Sequence, residues 1–213
     1  MIRAVPGAAL FACLLPAMAQ TSATCDQTLT ATLQPRSFVW IDSRPTGLEI
    51  VGTDQQTIHI TCKAGENDPD GPERVLLRFT PSPSGGKLSI QGAHLAHGDN
   101  VHIKIEVPRK TSLFVRMFAG EVKVNDVAGD KDIQLFAGQI TISDHQWDYR
   151  NVNASVNIGQ VSAPVYNSEK GGFFRTVSRK SPTGEYRLHA HISTGEIDLR
   201  GKNEEEQNTS KPD

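Results

Sequence analysis

Two carboxylates, Asp126 and Asp144, are the residues of this sequence that most resemble a catalytic pair. A glycosidase uses two such groups, one as general acid and one as base or nucleophile. Both, however, follow turn-like residues, where Asp is expected because its carboxylate bonds the local backbone. The sequence also has no G-x-S-x-G elbow, P-loop or dinucleotide-binding glycine fingerprint. We therefore predict that the chain is not an enzyme, and a β-helical carbohydrate-active enzyme is the alternative.

Candidate metal ligands are incomplete as well. Glu66 to Gly71 places acids at alternate positions before a glycine, as a calcium loop does, but Leu77 stands where the bidentate acid is needed. His189 and His191 share one face of a predicted strand. Threading the repeats described below places four side chains beside them: Asp132 and Asn153 with His189, and Gln134 and Ser155 with His191. A zinc site needs three or four His or Cys ligands, so we predict no metal and no cofactor.

The strongest candidate interaction surface is a segment rich in aromatic residues and cations near the C-terminus. Such side chains dominate protein interfaces, and the formal net charge of the chain is −2. The residues of this candidate interaction loop are Phe173, Phe174, Arg175, Arg179 and Lys180. The alternative is that a phenylalanine packs onto the last repeat while the cations only solubilise a hairpin.

The first 19 residues have the form of a secretory signal peptide, with a positive start, a short apolar core and an A-x-A site that predicts cleavage after Ala19. A lipoprotein anchored at Cys13 is the less fitting alternative. We expect the protein to be exported, to the periplasm, the outer surface or the medium. No later segment is apolar and long enough to predict a transmembrane helix.

Cysteine usage agrees with export. Once the leader is removed, Cys25 and Cys62 remain, and an even pair in an oxidising compartment favours one disulfide bond. Alternation along the segment from Ile58 places Cys62 on the inward face. A buried free thiol that packs as a small hydrophobe is the alternative.

Composition assigns residues 20–201 to a single domain and residues 202–213 to a disordered, acid-rich tail. The mild net charge gives no reason to expect nucleic acid or an anionic membrane as a partner. Short alternating runs bounded by Gly, Pro, Asn and Asp predict strands throughout the domain.

The C-terminal half repeats one pentad of the form Gly, polar, β-branched, polar, apolar. The four copies begin at Gly120, Gly138, Gly159 and Gly195. A period near 20 residues indicates a stacked solenoid, and the longer last interval is interpreted as an ordinary coil enlarged by a loop between Pro164 and Gly184. We therefore predict an all-β, single-domain β-solenoid.

The parity of the apolar residues predicts a corner in each repeat. In the first repeat, the apolar positions are odd before Gly120, from Leu113 to Met117, and even after it, at Val122 and Val124. Side chains can keep facing the core through such a shift only where the backbone bends or bulges. Glycine suits that bend because it accepts positive φ. Each repeat is thus expected to be two short strands joined at a glycine corner.

The segment Ile105–Lys110, followed by the recurring pentads, resembles the bacterial putative-adhesin domain of unknown function, an exported β-strand-repeat family. The resemblance runs from about Gly47 to Gly201. It implies a β-solenoid at the cell envelope and carries no catalytic or ligand residues with it. The third pentad departs from the pattern because Ala163 replaces a larger apolar residue.

Together these observations predict a non-catalytic envelope protein that presents a β-solenoid surface to a protein or glycan partner. A structural protein that self-associates through exposed sheet edges is a further alternative. The charged tail argues against it, since edges used for growth are seldom guarded by acids, and a monomer is expected.

Overall fold

The computed structural model describes residues 21–34, 36–43, 46–63, 75–92, 101–145 and 148–201. The predicted leader with Ala19 and Cys13, the calcium-like segment from Glu66 and the predicted tail lie outside these residues. Within them the chain is all-β, as predicted, with one 3₁₀ turn at Pro164–Tyr166. The thirteen strands are β1 Thr21–Thr24, β2 Leu29–Thr32, β3 Phe38–Ser43, β4 Thr46–Thr53, β5 Thr57–Lys63, β6 Val75–Ser82, β7 Gly85–Gly92, β8 His102–Pro108, β9 Ser112–Asn125, β10 Lys131–Asp144, β11 Tyr149–Ala163, β12 Ser168–Lys180 and β13 Tyr186–Gly201.

The strands form one open sheet with two arms. The halves of β9 show the division, because residues before its corner pair with β3 and residues from Gly120 onward pair with β4. The first arm has the strand order β1-β6-β7-β3-β9-β10-β13-β11-β12. In the second arm β2, β5, β8 and β4 lead to the later halves of the same long strands. Inward side chains of both arms form one hydrophobic core.

The four glycine-led pentads lie in register, as the sequence predicted. Gly120 pairs with Gly138, Gly138 with Gly195, and Gly195 with Gly159. The predicted shift of parity also holds, since Leu113, Val115 and Met117 are buried before the corner and Val122 and Val124 after it.

Two corner glycines show why no other residue suits this position. Gly138 has φ 124° and Gly195 has φ 141°, a region that L-residues rarely adopt. A Cβ on Gly138 would overlap the carbonyl oxygen of Gly120, and one on Gly195 would overlap that of Gly138. Each long strand with its corner is one layer of the stack. The corners therefore exclude side chains by their backbone conformation and by the close approach of the neighbouring layer.

The order of the layers differs from the predicted solenoid. The stretch after Pro164 is not a loop enlarging a coil: Ser168–Lys180 forms β12, antiparallel to β11 at the edge of the sheet. The last strand, β13, then lies between β10 and β11 and is parallel to both. Each layer presents the same glycine and the same inward aliphatic positions, so local pattern alone does not encode which layers are neighbours.

The predicted disulfide joins Cys25, between β1 and β2, to Cys62 in β5, with the two Cα atoms 4.7 Å apart. Cys25 is buried and Cys62 is partly buried against the core. The bond fastens the first strands to the second arm of the sheet. Across the described ranges, no helix has the length and apolar character needed to cross a bilayer.

Candidate functional site

The candidate interaction loop is an edge strand rather than a loop. Its five residues lie in β12, where Phe173 is 67% exposed and Phe174 is 79% exposed, so neither phenylalanine packs onto the last repeat. A strand forms here because residues 168–180 pair along almost their whole length with β11. Lys180 ends the strand opposite Asn151 and is exposed.

Cations occupy the core-facing side of β12. Arg175 pairs with Val156 and Arg179 with Val152, whose side chains point into the core. The Arg175 Nε donates to the Gly171 carbonyl at 2.8 Å, and the Arg179 Nη2 donates to the Tyr166 carbonyl at 3.0 Å. Charged residues on the inward face of an edge prevent another strand from stacking there. We call this arrangement the end cap.

A shallow open groove of about 680 Å³ follows the stacked corners, and we call it the corner groove. Its floor is glycine backbone and one wall carries amide and carboxylate side chains. The lining residues are Gly120, Gly138, Gly159, Gly171, Gly172, Gly195, Gln139, Gln160 and Glu196. Because the floor lacks side chains, a ligand can approach the backbone closely.

The polar wall is a row of residues that each follow a corner glycine. Glu121, Gln139, Glu196 and Gln160 lie side by side in neighbouring layers. Glu121 pairs with Lys123 at 2.9 Å, and the Gln160 Nε2 donates to Glu169 at 2.7 Å. Within the part of the chain that the structure describes, the side chains of Gln139 and Glu196 form no hydrogen bond or ion pair. These two groups are free to bind a ligand.

Two stacked phenylalanines stand beside the corner groove on the outer face of the first arm. The rings of Phe118 and Phe136 are parallel within 9°, with centroids 5.0 Å apart. Each lies two residues before a corner glycine, and they are 63% and 55% exposed. Ile158, directly opposite Phe173 in register, is also exposed. The exposed apolar side chains thus form two groups along the corner, in β9–β10 and in β11–β12, separated by Ser193 and Thr194 of β13, and we call the two groups together the corner strip.

The outer face of the first arm carries a second aromatic pair. Trp40 and Phe114 stack with centroids 5.9 Å apart, and the Arg116 guanidinium lies 5.7 Å from the centre of the Trp40 ring. Arg116 also forms an ion pair with Asp132 at 2.9 Å. Burial tends to raise the pKa of Asp132, but hydrogen bonds from Arg116 and His189 outweigh it and lower that pKa.

The histidine columns predicted from the repeats are confirmed by the register. Asp132 and Asn153 flank His189, and the Asp132 Oδ1 lies 3.0 Å from the His189 Nδ1. His191 lies between the predicted Gln134 and Ser155, and its Nδ1 is 2.9 Å from the Ser155 hydroxyl. Among the residues with described positions, no three His, Cys, Asp or Glu side chains converge to hold a metal ion.

The two candidate catalytic carboxylates belong to separate polar networks. Asp126 forms an ion pair with Arg109. Asp144 is buried, accepts a hydrogen bond from the Val127 N–H at 2.9 Å and from the Tyr149 hydroxyl at 2.6 Å, and lies 3.0 Å from the Lys131 Nζ. Both carboxylates are therefore occupied by protein donors.

The cluster of Lys131, Asp144 and Tyr149 was not identified from the sequence. Lys131 and Asp144 are the first and last residues of β10, so their ion pair joins the ends of the two arms within one layer. Burial lowers the pKa of Lys131 against the attraction of Asp144, and it raises the pKa of Tyr149 well above its usual value. One sequence signal could have identified this cluster. Lys131 has the same odd parity as the inward-facing residues before Gly138, and Asp144 has the same even parity as the inward-facing residues after it.

Comparisons with known proteins give distant structural likenesses. No family model matches the chain, and no curated protein matches it in sequence. A putative cell adhesion protein from Clostridium sporogenes aligns over 83% of this chain and 99% of its own, with 12% identity and a TM-score of 0.47. A putative lipid binding protein from Parabacteroides distasonis aligns over 83% and 94%, with 10% identity and a TM-score of 0.20. Likenesses at this level assign no function to the chain.

Proposed function

We propose that this chain is a non-catalytic, exported envelope protein that binds a protein or glycan partner through the corner groove and the corner strip. The observation that carries this proposal is where exposed apolar side chains gather. Among the described residues, five of the six exposed large hydrophobic side chains lie within two positions of a corner glycine or of Gly172, which pairs with the corner glycine Gly159: Phe118, Phe136, Ile158, Phe173 and Phe174.

Such a concentration favours binding over a purely structural role. Single apolar residues scattered over a surface are ordinary, whereas their concentration along one feature of the fold favours an interaction site. Aromatic side chains also supply large contact areas at low cost in conformational entropy. The corner strip combines both features with the unpartnered polar groups of Gln139 and Glu196.

The scaffold we propose is a β-solenoid whose layers are out of chain order, supported by the four pentads in register. Export is supported by the disulfide, since such bonds persist in oxidising compartments. A monomeric state is supported by the end cap, which places cations where a further strand would stack. A non-catalytic role is supported by the occupied carboxylates of Asp126 and Asp144.

The test uses the mature protein and isolated cell-envelope fractions from the source cells. Replacing the stacked pair, Phe118→Ser with Phe136→Ser, is expected to weaken retention on the binding fraction at least tenfold. Trp40→Ser serves as the control, because it removes an exposed aromatic side chain away from the corner. Equal retention of all three proteins would refute the proposal. Release of reducing ends from envelope glycans, abolished by Asp144→Asn, would establish the enzyme alternative instead.

A further inference from the structure

We infer that the ligand of the corner groove is a neutral linear glycan that runs across the layers, perpendicular to the strands. This inference rests on the proposed binding function and names the chemical class of the partner. Three properties of the groove support it: its repeat, the chemistry of its walls and its charge.

The repeat of the groove suits a polymer of similar units. Five layers, β9, β10, β13, β11 and β12, cross the corner, and adjacent strands lie about 4.8 Å apart, so the groove is about 19 Å long. One sugar residue of an extended polysaccharide advances by a similar distance. Successive sugars would therefore meet a carboxylate or amide in each of the four layers from β9 to β11, whereas β12 has Gly171 at that position.

The polar wall of the groove and the corner strip beside it together offer the two kinds of contact that a sugar needs. One face of a pyranose ring carries C–H groups, which pack flat against aromatic rings such as those of Phe118 and Phe136. The hydroxyl groups at its rim donate and accept hydrogen bonds, for which Gln139 and Glu196 have free capacity. The glycine floor lets the sugar lie close to the backbone.

The charge of the groove selects among glycans. Its lining residues include one carboxylate, Glu196, and no Lys or Arg, and the Arg175 guanidinium lies against Gly171 and Gly172 at the β12 end, where it donates to the Gly171 carbonyl. Glu121 extends the same row by one layer and is paired there with Lys123. A glycan bearing carboxylate or sulfate groups would bring like charges together, which is unfavourable in a partly desolvated groove. Neutral sugars avoid this cost, and their hydroxyls can donate to the carboxylates.

A protein strand is a poorer occupant for this groove. An extended peptide binds a sheet by pairing with an unpaired edge. The corner glycines are instead paired with one another across the layers, and the free edge at β12 carries the end cap.

The experiment titrates the mature protein with neutral oligosaccharides of glucose, mannose and N-acetylglucosamine, two to six units long, followed by calorimetry or NMR. Oligogalacturonates of the same lengths are the acidic comparison. For at least one neutral series, affinity is expected to rise with length to four or five sugars and then level off. The acidic series should bind at least tenfold more weakly.

Variants of the polar wall test the position of the glycan. Gln139→Ala and Glu196→Ala should each weaken binding of the best neutral oligosaccharide about 3- to 10-fold, the loss expected for one hydrogen bond. Gln91→Ala, an exposed glutamine on β7, is the matched control and should leave affinity unchanged.

The outcomes separate this inference from the proposed function. Absence of binding by all three neutral series, or equal binding of the acidic series, would overturn the inference. If the Phe118→Ser, Phe136→Ser protein nevertheless loses retention on envelope material, the binding function stands with a different ligand. If that protein is retained like the unaltered one, both proposals fail together.

Discussion

Replacement of Gly138 by alanine tests the stacked corners most directly. The glycine has φ 124°, and a Cβ there would overlap the carbonyl oxygen of Gly120 in the adjacent layer. Gly171→Ala is the matched control in the same groove, because a Cβ at that position meets only the Gly159 carbonyl oxygen, at 4.0 Å. Both changes add one methyl group, so they differ in backbone conformation and in the space available.

The magnitude follows from two costs. Holding an L-residue in a sparsely populated backbone region costs about 1–3 kcal/mol. Relieving the overlap shifts Gly138 away from Gly120 or Gly195 and weakens at least one interlayer hydrogen bond, at about 1 kcal/mol. Gly138→Ala should therefore lower the free energy of unfolding by about 3 kcal/mol. Gly171→Ala should leave it unchanged or raise it by up to about 1 kcal/mol, because alanine restricts the unfolded chain.

Urea unfolding of the mature protein, followed by circular dichroism and tryptophan fluorescence, provides the assay. A loss of about 3 kcal/mol would lower the urea concentration at the midpoint of unfolding by about 1–1.5 M, given the typical slope of the free energy of unfolding against urea concentration for a domain of this size. Far-ultraviolet spectra before denaturation establish that both variants fold. If Gly138→Ala were as stable as the unaltered protein, or if the two variants lost equal stability, the explanation of the corners would be wrong.

Three further predictions concern covalent, ionisable and edge contacts. Replacing Cys25 and Cys62 by alanine should lower the free energy of unfolding by about 2–4 kcal/mol in non-reducing buffer, and dithiothreitol should then have no added effect on urea unfolding. Burial raises the pKa of Tyr149 in the folded state, so the unfolded chain ionises first and stability should fall as pH rises above about 10. Tyr149→Phe should flatten that alkaline decline, and an unchanged slope in urea titrations would contradict the assignment. Arg175→Val with Arg179→Val should remove the end cap and produce concentration-dependent association in light scattering, whereas a persistent monomer would contradict its proposed role.

The repeat unit was readable from the sequence because it depends on local physics. A glycine corner and a shift of apolar parity each show within a few residues, and the contacts of His189 with Asp132 followed once the pentads were aligned. The disulfide followed from the count of cysteines and the expected compartment.

The order of the layers was not readable in the same way. Nothing in the pentads at Gly138, Gly159 and Gly195 distinguishes one neighbour from another, so the choice depends on contacts distant in sequence. The end cap was missed for a related reason. Arg175, Val177 and Arg179 share one face of the strand, and two arginines beside a single valine do not mark that face as inward; only the pairing with β11 shows that it continues the core side.

The corner groove required the structure because it is a property of several layers together. Gln139 and Glu196 lie far apart in sequence and become neighbours only when β13 enters beside β10. Polar residues after a glycine are unremarkable in one strand. Stacked in adjacent layers, they form a continuous wall.

The position of β13 between β10 and β11 has a consequence for how the chain acquires its fold. Both of those strands are synthesised before β13, and their matching corners allow them to pair with each other while the C-terminal strand is still missing. For the native order to form, β10 and β11 must stay apart, or separate again, until β13 can enter between them. Each residue of β13 that pairs with β10 lies 57 positions after its partner in the sequence. Assembly of this half of the molecule should therefore be slow, and its rate-limiting event should be the entry of the final strand into a gap that the earlier strands tend to close.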